Sequence, residues 1–331
     1  MEELFLSRTR PWDPSLISSL TGVGPGPSAH DKRLALRAAL AGTVARRDRP
    51  ITPLVLPGAT DALGARLVED AGFAAVYATG AGLANAGFGL PDLGLISQSE
   101  VADHAGRLAE ATRIPLVCDA DTGYGGPLAV MRTVRLLERA GVAGLQLEDQ
   151  EMPKRCGHFD SHTLIPAGHM QTKIAAACEA RTDDALVIIA RTDARSAYGI
   201  DEAIERGRAY AEAGADVLFV EAPRTVAELA LAGRELAGTP LIVNVVEGGR
   251  TPQLEPAEYA ELGFGVVLFA NYLMRSMHLA GREALAHLAE RGETASRADR
   301  MASWEERQSL FNLPAFSAAE TALDRELGRI E

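Results

Sequence analysis

The chain of 331 residues is poor in cysteine, with three, and none of these stands at the paired spacing of a thiolate zinc site. An odd trio does not make a disulfide framework, so a reducing, cytoplasmic setting is the expectation. Long apolar runs are also missing. No stretch approaches the roughly 18 uncharged apolar residues of a membrane span. The opening MEELFLSRTRP carries two early acids and lacks the apolar segment of a secretory signal. Positive charge is in deficit, with 33 Lys and Arg against 45 acids and a formal net charge of -12. That balance argues against a nucleic-acid partner or an acidic membrane surface. No G-x-G-x-x-G follows the first predicted strand, and VLPGATDAL at 55–63 is not a dinucleotide fingerprint.

Apolar residues make up 47% of the chain, enough for a sizeable core. Residues 1–30 show little periodicity, and GVGPGPS at 22–28 reads as a linker, so they form an N-terminal extension. A helical pattern runs over 31–47. The chain then alternates between short apolar runs and alanine-rich amphipathic stretches. The runs are LVLPG, AAVYATG, LVCDAD, GLQLED, LVIIARTD, VLFVEA, LIVNVV and GVVLFAN. Eight strand–helix units over roughly 240 residues predict an α/β fold of the (β/α)8 TIM-barrel type spanning 31–292. A doubly wound open sheet is the rival. The period breaks after 292, and 293–331 form a C-terminal helical appendage.

Chemistry in such a barrel gathers at the C-terminal strand ends. There the polar residues fall: Tyr77, Thr79 and Gly80 after strand two, Asp119 and Asp121 after strand three, Glu148 and Asp149 after strand four. Arg191 and Asp193 close strand five, Glu221 strand six, and Asn244 and Glu247 the seventh. A lone charge at such a place is a cap or a loop ion pair. Six strand ends doing so together predict a shared site, because each charge needs a partner or a metal. The alternation of CDADTGYGG puts Asp119 and Asp121 on one side of a strand end. With Glu148, and Asp92 of GLPDLG, they make a hard-oxygen site suited to Mg²⁺ or Mn²⁺.

Cys156 stands apart from the other thiols. In KRCGH at 154–158, Lys154 and Arg155 favour a thiolate, so this thiol can trade a proton near neutral pH. The polar segment 150–167 around it has the length of a functional loop. Cys118 and Cys178 read as core, and His104, His162, His169 and His278 receive no role.

The combination of DADTGYG at 119–125, LEDQ at 147–150 and KRCGH at 154–158 resembles the isocitrate lyase/phosphoenolpyruvate mutase superfamily. GLPD at 89–92, ARTD at 190–193 and NVVEGG at 244–249 extend the likeness over roughly residues 32–290. The resemblance implies a Mg²⁺-dependent barrel acting on small carboxylates. It also implies a homo-oligomer, a dimer or a homotetramer, whose last helix is exchanged between subunits. The KRCGH segment points to the carbon–carbon lyase branch of methylisocitrate and 2,3-dimethylmalate lyases. By resemblance Asp119, Asp121, Asp92 and Glu148 hold the metal, and Cys156 protonates the released fragment. Lys154, Arg155 and His158 set its acidity and bind the anionic fragment. Thr79, Gly80, Ala81, Arg191, Glu221 and Asn244 match substrate-binding positions, with Gly157 and Arg275 as further contacts. Tyr77 is the candidate base, with an acidic side chain or a metal-bound water as alternatives.

Several positions depart from the family pattern. Thr79 stands for Ser, Ala81 for Gly, Ser161-His162 for a pair ending in Lys, and NVVE for NITE. Trp304 occupies the place of an Arg found in methylisocitrate lyases, which suggests one substrate carboxylate fewer. Ala270 stands where oxaloacetate hydrolases carry Ser. The expected activity is cleavage of a 2-hydroxy di- or tricarboxylate, of methylisocitrate or substituted-malate type, to a 2-oxo acid plus a carboxylate. A P–C bond mutase, an oxaloacetate hydrolase or decarboxylase, and a non-enzymatic carboxylate sensor are the competing readings.

Overall fold

The structure, a computed structural model, describes residues 26–45, 50–152, 154 and 163–326. The eight predicted strands form as β1 Leu54–Ala59, β2 Val76–Ala78, β3 Leu116–Asp119, β4 Gly144–Glu148, β5 Val187–Thr192, β6 Val217–Val220, β7 Leu241–Asn244 and β8 Val266–Phe269. All neighbours pair in parallel in chain order. β8 returns to β1 through Leu54↔Val266 and Leu56↔Leu268, which closes the sheet. That closure excludes the open doubly wound sheet. The architecture is the eight-stranded parallel barrel.

Strand periodicity divides the core into two layers. Val76, Leu116, Leu145, Leu147, Ile188 and Leu218 face outward, against the helices. Tyr77, Val117, Ile189, Phe219, Ile242 and Leu268 face inward and fill the barrel. Among the described residues, the main helices between the strands are α2 Ala62–Asp70, α3 Gln98–Ala111, α4 Pro127–Arg139, α5 Ala167–Ala180, α6 Ile200–Glu212, α7 Val226–Glu235 and α8 Pro256–Glu261, with short helical segments at Gly80–Gly82 and Ala194–Tyr198. Their entries are set locally. Asp61 caps α2, Ser97 and Glu100 form a capping box on α3, and Thr225 caps α7.

The first helix among the described residues, α1 Ala29–Ala41, closes the N-terminal end of the barrel. Leu36 and Leu40 join the inner layer, and Gly144 makes room, since a Cβ there would lie 3.1 Å from Leu36. Its cations meet carbonyls left over at neighbouring turns. Lys32 Nζ donates to Ala109 and Thr112, and Arg33 to Glu138 and Val142. Of the predicted helical stretch 31–47, residues 46 and 47 lie outside the described residues.

Beyond the barrel come α9 Tyr272–Arg291, a 3₁₀ turn Ala295–Arg300, α10 Trp304–Leu310 and α11 Leu313–Glu326. The described chain divides into two compact bodies, one of residues 29–286 and one that includes 287–326, so the division falls inside α9. Among the described residues, no helix is long and apolar enough to cross a membrane.

Candidate active site

The inner file of each strand continues past the hydrophobic core into the polar strand ends. Val117 leads to Asp119, Gln146 to Glu148, Ile189 to Arg191, Phe219 to Glu221, and Ile242 to Asn244. A period of two therefore delivers all these side chains to one mouth. Tyr77, Thr79, Asp119, Glu148, Arg191, Glu221 and Asn244 line a single cavity of about 130 Å³, joined by Ala81, Asp92 and Lys154 from the loops. That size admits a small acid. Gly80 borders it: a Cβ there would stand 2.9 Å from Asp119 Oδ2, so the carboxylate's approach requires glycine.

Lys154 and two acids form the polar centre. Its Nζ lies 2.5 Å from Asp92 Oδ1 and 2.8 Å from Asp121 Oδ1, with the side chain only 4% exposed. Burial opposes the ammonium charge. The carboxylates of Asp121, Glu148, Asp119 and Asp92 outweigh it and hold Lys154 above the usual lysine range. Burial raises Asp121 to about 6, against the pull of Lys154 and with the push of Asp119. Burial likewise pushes Glu148 well above the ordinary carboxyl range, countered by Arg191.

The oxygen set suits a hard divalent cation. Glu148 Oε1 is buried with no hydrogen-bond partner among the described residues, and the charges of Asp193 and Asp121 bear on the same carboxyl. Among the described residues, no three acid, thiol or imidazole side chains already converge as a closed ligand cluster. The Lys154 ammonium sits between Asp92 and Asp121 and partly neutralises their charge. The acids fit the metal chemically, with Lys154 as a neighbour.

On the opposite wall Arg191 is held in a fork. Nε donates to Asp193 Oδ2 at 3.0 Å and Nη2 to Asp193 Oδ1 at 2.8 Å. The same guanidinium lies 3.5 Å from Glu148, 3.4 Å from Glu221, and 5.1 Å from the centroid of the Phe219 ring. Burial works against its charge, but Asp193, Glu221 and Glu148 hold it well above its ordinary value. Asn244 Nδ2 lies 3.4 Å from Glu221 Oε1, within donating distance, while its Oδ1 is buried and without a partner among the described residues.

Tyr77 has a more defined environment than the sequence suggested. Its hydroxyl donates to Gln146 Oε1 at 2.8 Å, and Gln146 Nε2 donates to Asp119 Oδ1 at 3.3 Å. Burial first, then the Asp119 charge, pushes the phenol well up. It therefore keeps its proton at neutral pH. Sequence reasoning missed Gln146 and Asn271. Gln146 was findable as a polar residue on the file of Glu148 in GLQLE. Asn271, at the end of strand eight, accepts from Thr79 Oγ1 at 3.3 Å.

Other predicted residues sit elsewhere. Arg275 is outside the cavity lining, 53% exposed, and donates to Glu247 Oε2 at 3.0 Å and to the Glu247 carbonyl at 2.8 Å. Arg155, Cys156, Gly157 and His158 lie outside the described residues, as do Ser161 and His162. Cys118 is buried, as expected of a core thiol, and Cys178 is half-buried. The mouth also carries backbone strain. Asp121, Tyr124 and Ala222, each just past a strand end, adopt φ of 47°, 62° and 54°.

A parallel barrel whose strand ends gather acids, one Lys and one Arg around a small cavity defines an enzyme of small-acid chemistry. The family described as phosphoenolpyruvate phosphomutase matches residues 45–289. The chain belongs to the isocitrate lyase/phosphoenolpyruvate mutase superfamily, close to its methylisocitrate and dimethylmalate lyase branch. It is 41% identical over 267 residues to the 2,3-dimethylmalate lyase of Eubacterium barkeri, covering 81% of this chain and 92% of that protein. It is 42% identical over 284 residues to "Probable 2-methylisocitrate lyase 2" of Corynebacterium glutamicum, covering 86% and 88%. A crystal structure of 2,3-dimethylmalate lyase superposes with a TM-score of 0.80 at 34% identity, over 92% of this chain and 97% of that one.

Proposed function

We propose that the protein is a Mg²⁺-dependent carbon–carbon lyase that cleaves a substituted malate to a 2-oxo acid, such as pyruvate, and a carboxylate. The observation that carries this reading is the pairing, in one small cavity, of the unpartnered Glu148 Oε1, Asp119 and Asp92 with Lys154 and Arg191. Asp119, Asp121 and Glu148, with Asp92 in support, would hold the metal. When bound, Mg²⁺ supplies Lewis acidity to the substrate's carboxylate and hydroxyl oxygens.

The protein's own groups account for the remaining steps. Arg191 binds a substrate carboxylate as a charged, oriented donor. Thr79, Gly80 and Ala81 border the reacting end. As the C2–C3 bond breaks, its electron pair passes to C3 of the departing carboxylate, while the 2-hydroxyl gives its proton to a cavity carboxylate and its O–H electrons form the carbonyl of the 2-oxo acid. Tyr77 stays protonated; with its proton given to Gln146 Oε1, its hydroxyl oxygen is left to accept from the substrate hydroxyl and orient it. Cys156, assigned from the sequence, gives its proton to the carbon of the released fragment. Lys154 screens the negative charge that develops.

A dicarboxylate suits the charge available better than a tricarboxylate. Lys154 and Arg191 are the cations that line the cavity among the described residues, and each already faces acids. The neighbouring wall of Phe219, Val246, Leu268 and Ala270 is apolar and suits alkyl substituents. The 2,3-dimethylmalate lyase likeness agrees with that choice. P–C bond chemistry is the second reading, favoured by the family match. We further assign a homo-oligomer in which the C-terminal helical appendage is exchanged between subunits; Trp304, Phe311, Leu313 and Phe316 on that appendage are exposed.

The test is a coupled assay for 2-oxo acid release with Mg²⁺, run across 2,3-dimethylmalate, methylisocitrate, isocitrate, citramalate and oxaloacetate. Metal-dependent pyruvate release from the substituted malate, abolished in Cys156→Ser, is the expected result. No release from any of them by folded, Mg²⁺-binding protein would overturn the lyase reading. A phosphonate product seen by phosphorus NMR would establish the alternative.

A further inference from the structure

Asp149 follows Glu148 at the end of β4, but its side chain turns away from the cavity toward β5 and α6. It is fully buried. Four donors satisfy its carboxylate: the Asp193 backbone N at 3.0 Å to Oδ1, and Thr192 Oγ1 at 2.7 Å, Tyr210 OH at 2.7 Å and Arg206 Nη1 at 3.1 Å to Oδ2. A buried carboxylate with four donors is a fixed point, since releasing any of them leaves polar atoms unpaired.

What that point fixes is the end of β5. Asp193, held by its backbone, accepts from Nε and Nη2 of Arg191 with its side chain. Without that fork, Arg191 has two other acids in reach, Glu148 at 3.5 Å and Glu221 at 3.4 Å. A guanidinium that closed onto either would fill the space of a substrate carboxylate.

We propose that Asp149 is a positioning residue for the anion site: it sets Asp193, and through Asp193 it aims Arg191 into the cavity. The proposal rests on the reading of Arg191 as the partner of a substrate carboxylate. Arg206 extends the same device, because its Nη1 also donates to the carbonyl of Ile165, while the Ile165 N–H donates to the carbonyl of Asp149 at 2.9 Å. The segment that returns to α5 is thus tied to the same buried carboxylate.

The test follows the Arg191 side chain directly, in the full-length protein labelled with ¹⁵N-arginine. Its Nε–H resonance is assigned by its loss in Arg191→Lys. In Asp149→Asn, hydrogen exchange at this Nε–H should accelerate about tenfold or more, while Arg33 at the far end of the barrel is unchanged. Tyr210→Phe, which deletes one of the four bonds, should shift it in the same direction by less, and serves if the first variant does not fold. In the presence of Mg²⁺, oxalate should bind about tenfold more weakly to Asp149→Asn, and the added loss should vanish in an Arg191→Lys background. A purely structural role would lower stability yet leave Arg191 exchange untouched. Unchanged exchange in both variants, or an equal affinity loss with and without Arg191, overturns the proposal. Neither readout needs turnover, so a failed lyase assay is distinguishable from a failed positioning role.

Discussion

Asp121 offers the sharpest test of the electrostatics. Burial holds its carboxyl near 6 in the folded protein, against an ordinary value of 3.8. Between those values the folded state keeps a proton that the unfolded chain has lost. Stability therefore falls as pH rises from about 4 to about 6, and stays lowered above. The gap of about two pK units corresponds to about 3 kcal/mol at pH 8. Asp121→Asn keeps the size of the side chain and removes the ionisation. In protein stripped of metal with EDTA, the variant should be more stable than the wild type by about 3 kcal/mol at pH 8, roughly 5 °C in melting temperature. At pH 4.5 the advantage should shrink to about 1 kcal/mol. Urea unfolding followed by circular dichroism at the two pH values measures both. A difference that does not change with pH, or a variant less stable at pH 8, would refute the reasoning and show that the contact with Lys154 outweighs burial. Excess Mg²⁺ should stabilise the wild type and not the variant, since a ligand stabilises only the state that binds it.

Two further substitutions separate fold from site. Arg33→Met removes donors from the carbonyls of Val142 and Glu138 and from Asp183, which Arg33 Nη1 meets at 2.8 Å. It should cost about 3 kcal/mol in urea unfolding and leave turnover of the folded fraction within about twofold, because α1 sits at the barrel end opposite the cavity. Tyr77→Phe strips Gln146 of its hydroxyl partner. It should lower stability by about 1–2 kcal/mol and turnover by roughly 10–100-fold. The pH–rate profile between 6 and 9 should keep its shape, since the phenol holds its proton throughout that range. A basic limb that disappears in the variant would instead make Tyr77 the ionising base.

The barrel was readable because each strand is short and apolar and is followed by an amphipathic helical stretch, several of which carry their own caps. Period-two alternation then explains why Asp119, Glu148, Arg191, Glu221 and Asn244 share one mouth, while Asp149, one residue after Glu148, turns to the other side. What the sequence did not show is non-local. Lys154 reads locally as a neighbour of Cys156, yet its ammonium meets Asp92, a residue from the loop that follows strand two. Gln146 looks like an interior polar residue without a task until Tyr77 from another strand donates to it. Arg275 could not be placed by pattern, because its direction depends on where the first turn of α9 begins. It emerges against Glu247 and away from the cavity. Strain at Ala222 leaves no mark in composition, since alanine is ordinary almost anywhere except at a φ of 54°.

The charge inventory of the mouth bears on the order in which ligands enter. Among the described residues, Asp92, Asp119, Asp121, Glu148, Asp193 and Glu221 surround Lys154 and Arg191, and both cations are already engaged by acids. A dianionic substrate arriving alone would meet net repulsion at short range in a poorly solvated space. Burial raises the carboxyls of Asp121 and Glu148 against the pull of Lys154 and Arg191, so the charged form of each is disfavoured there. A divalent cation seated beside Glu148 and Asp119 would reverse that balance and leave Arg191 free to act as a directed donor. Uptake of the cation should therefore precede uptake of the acid, and protons should compete with it as the pH falls below about 6, where Asp121 ceases to be an anion.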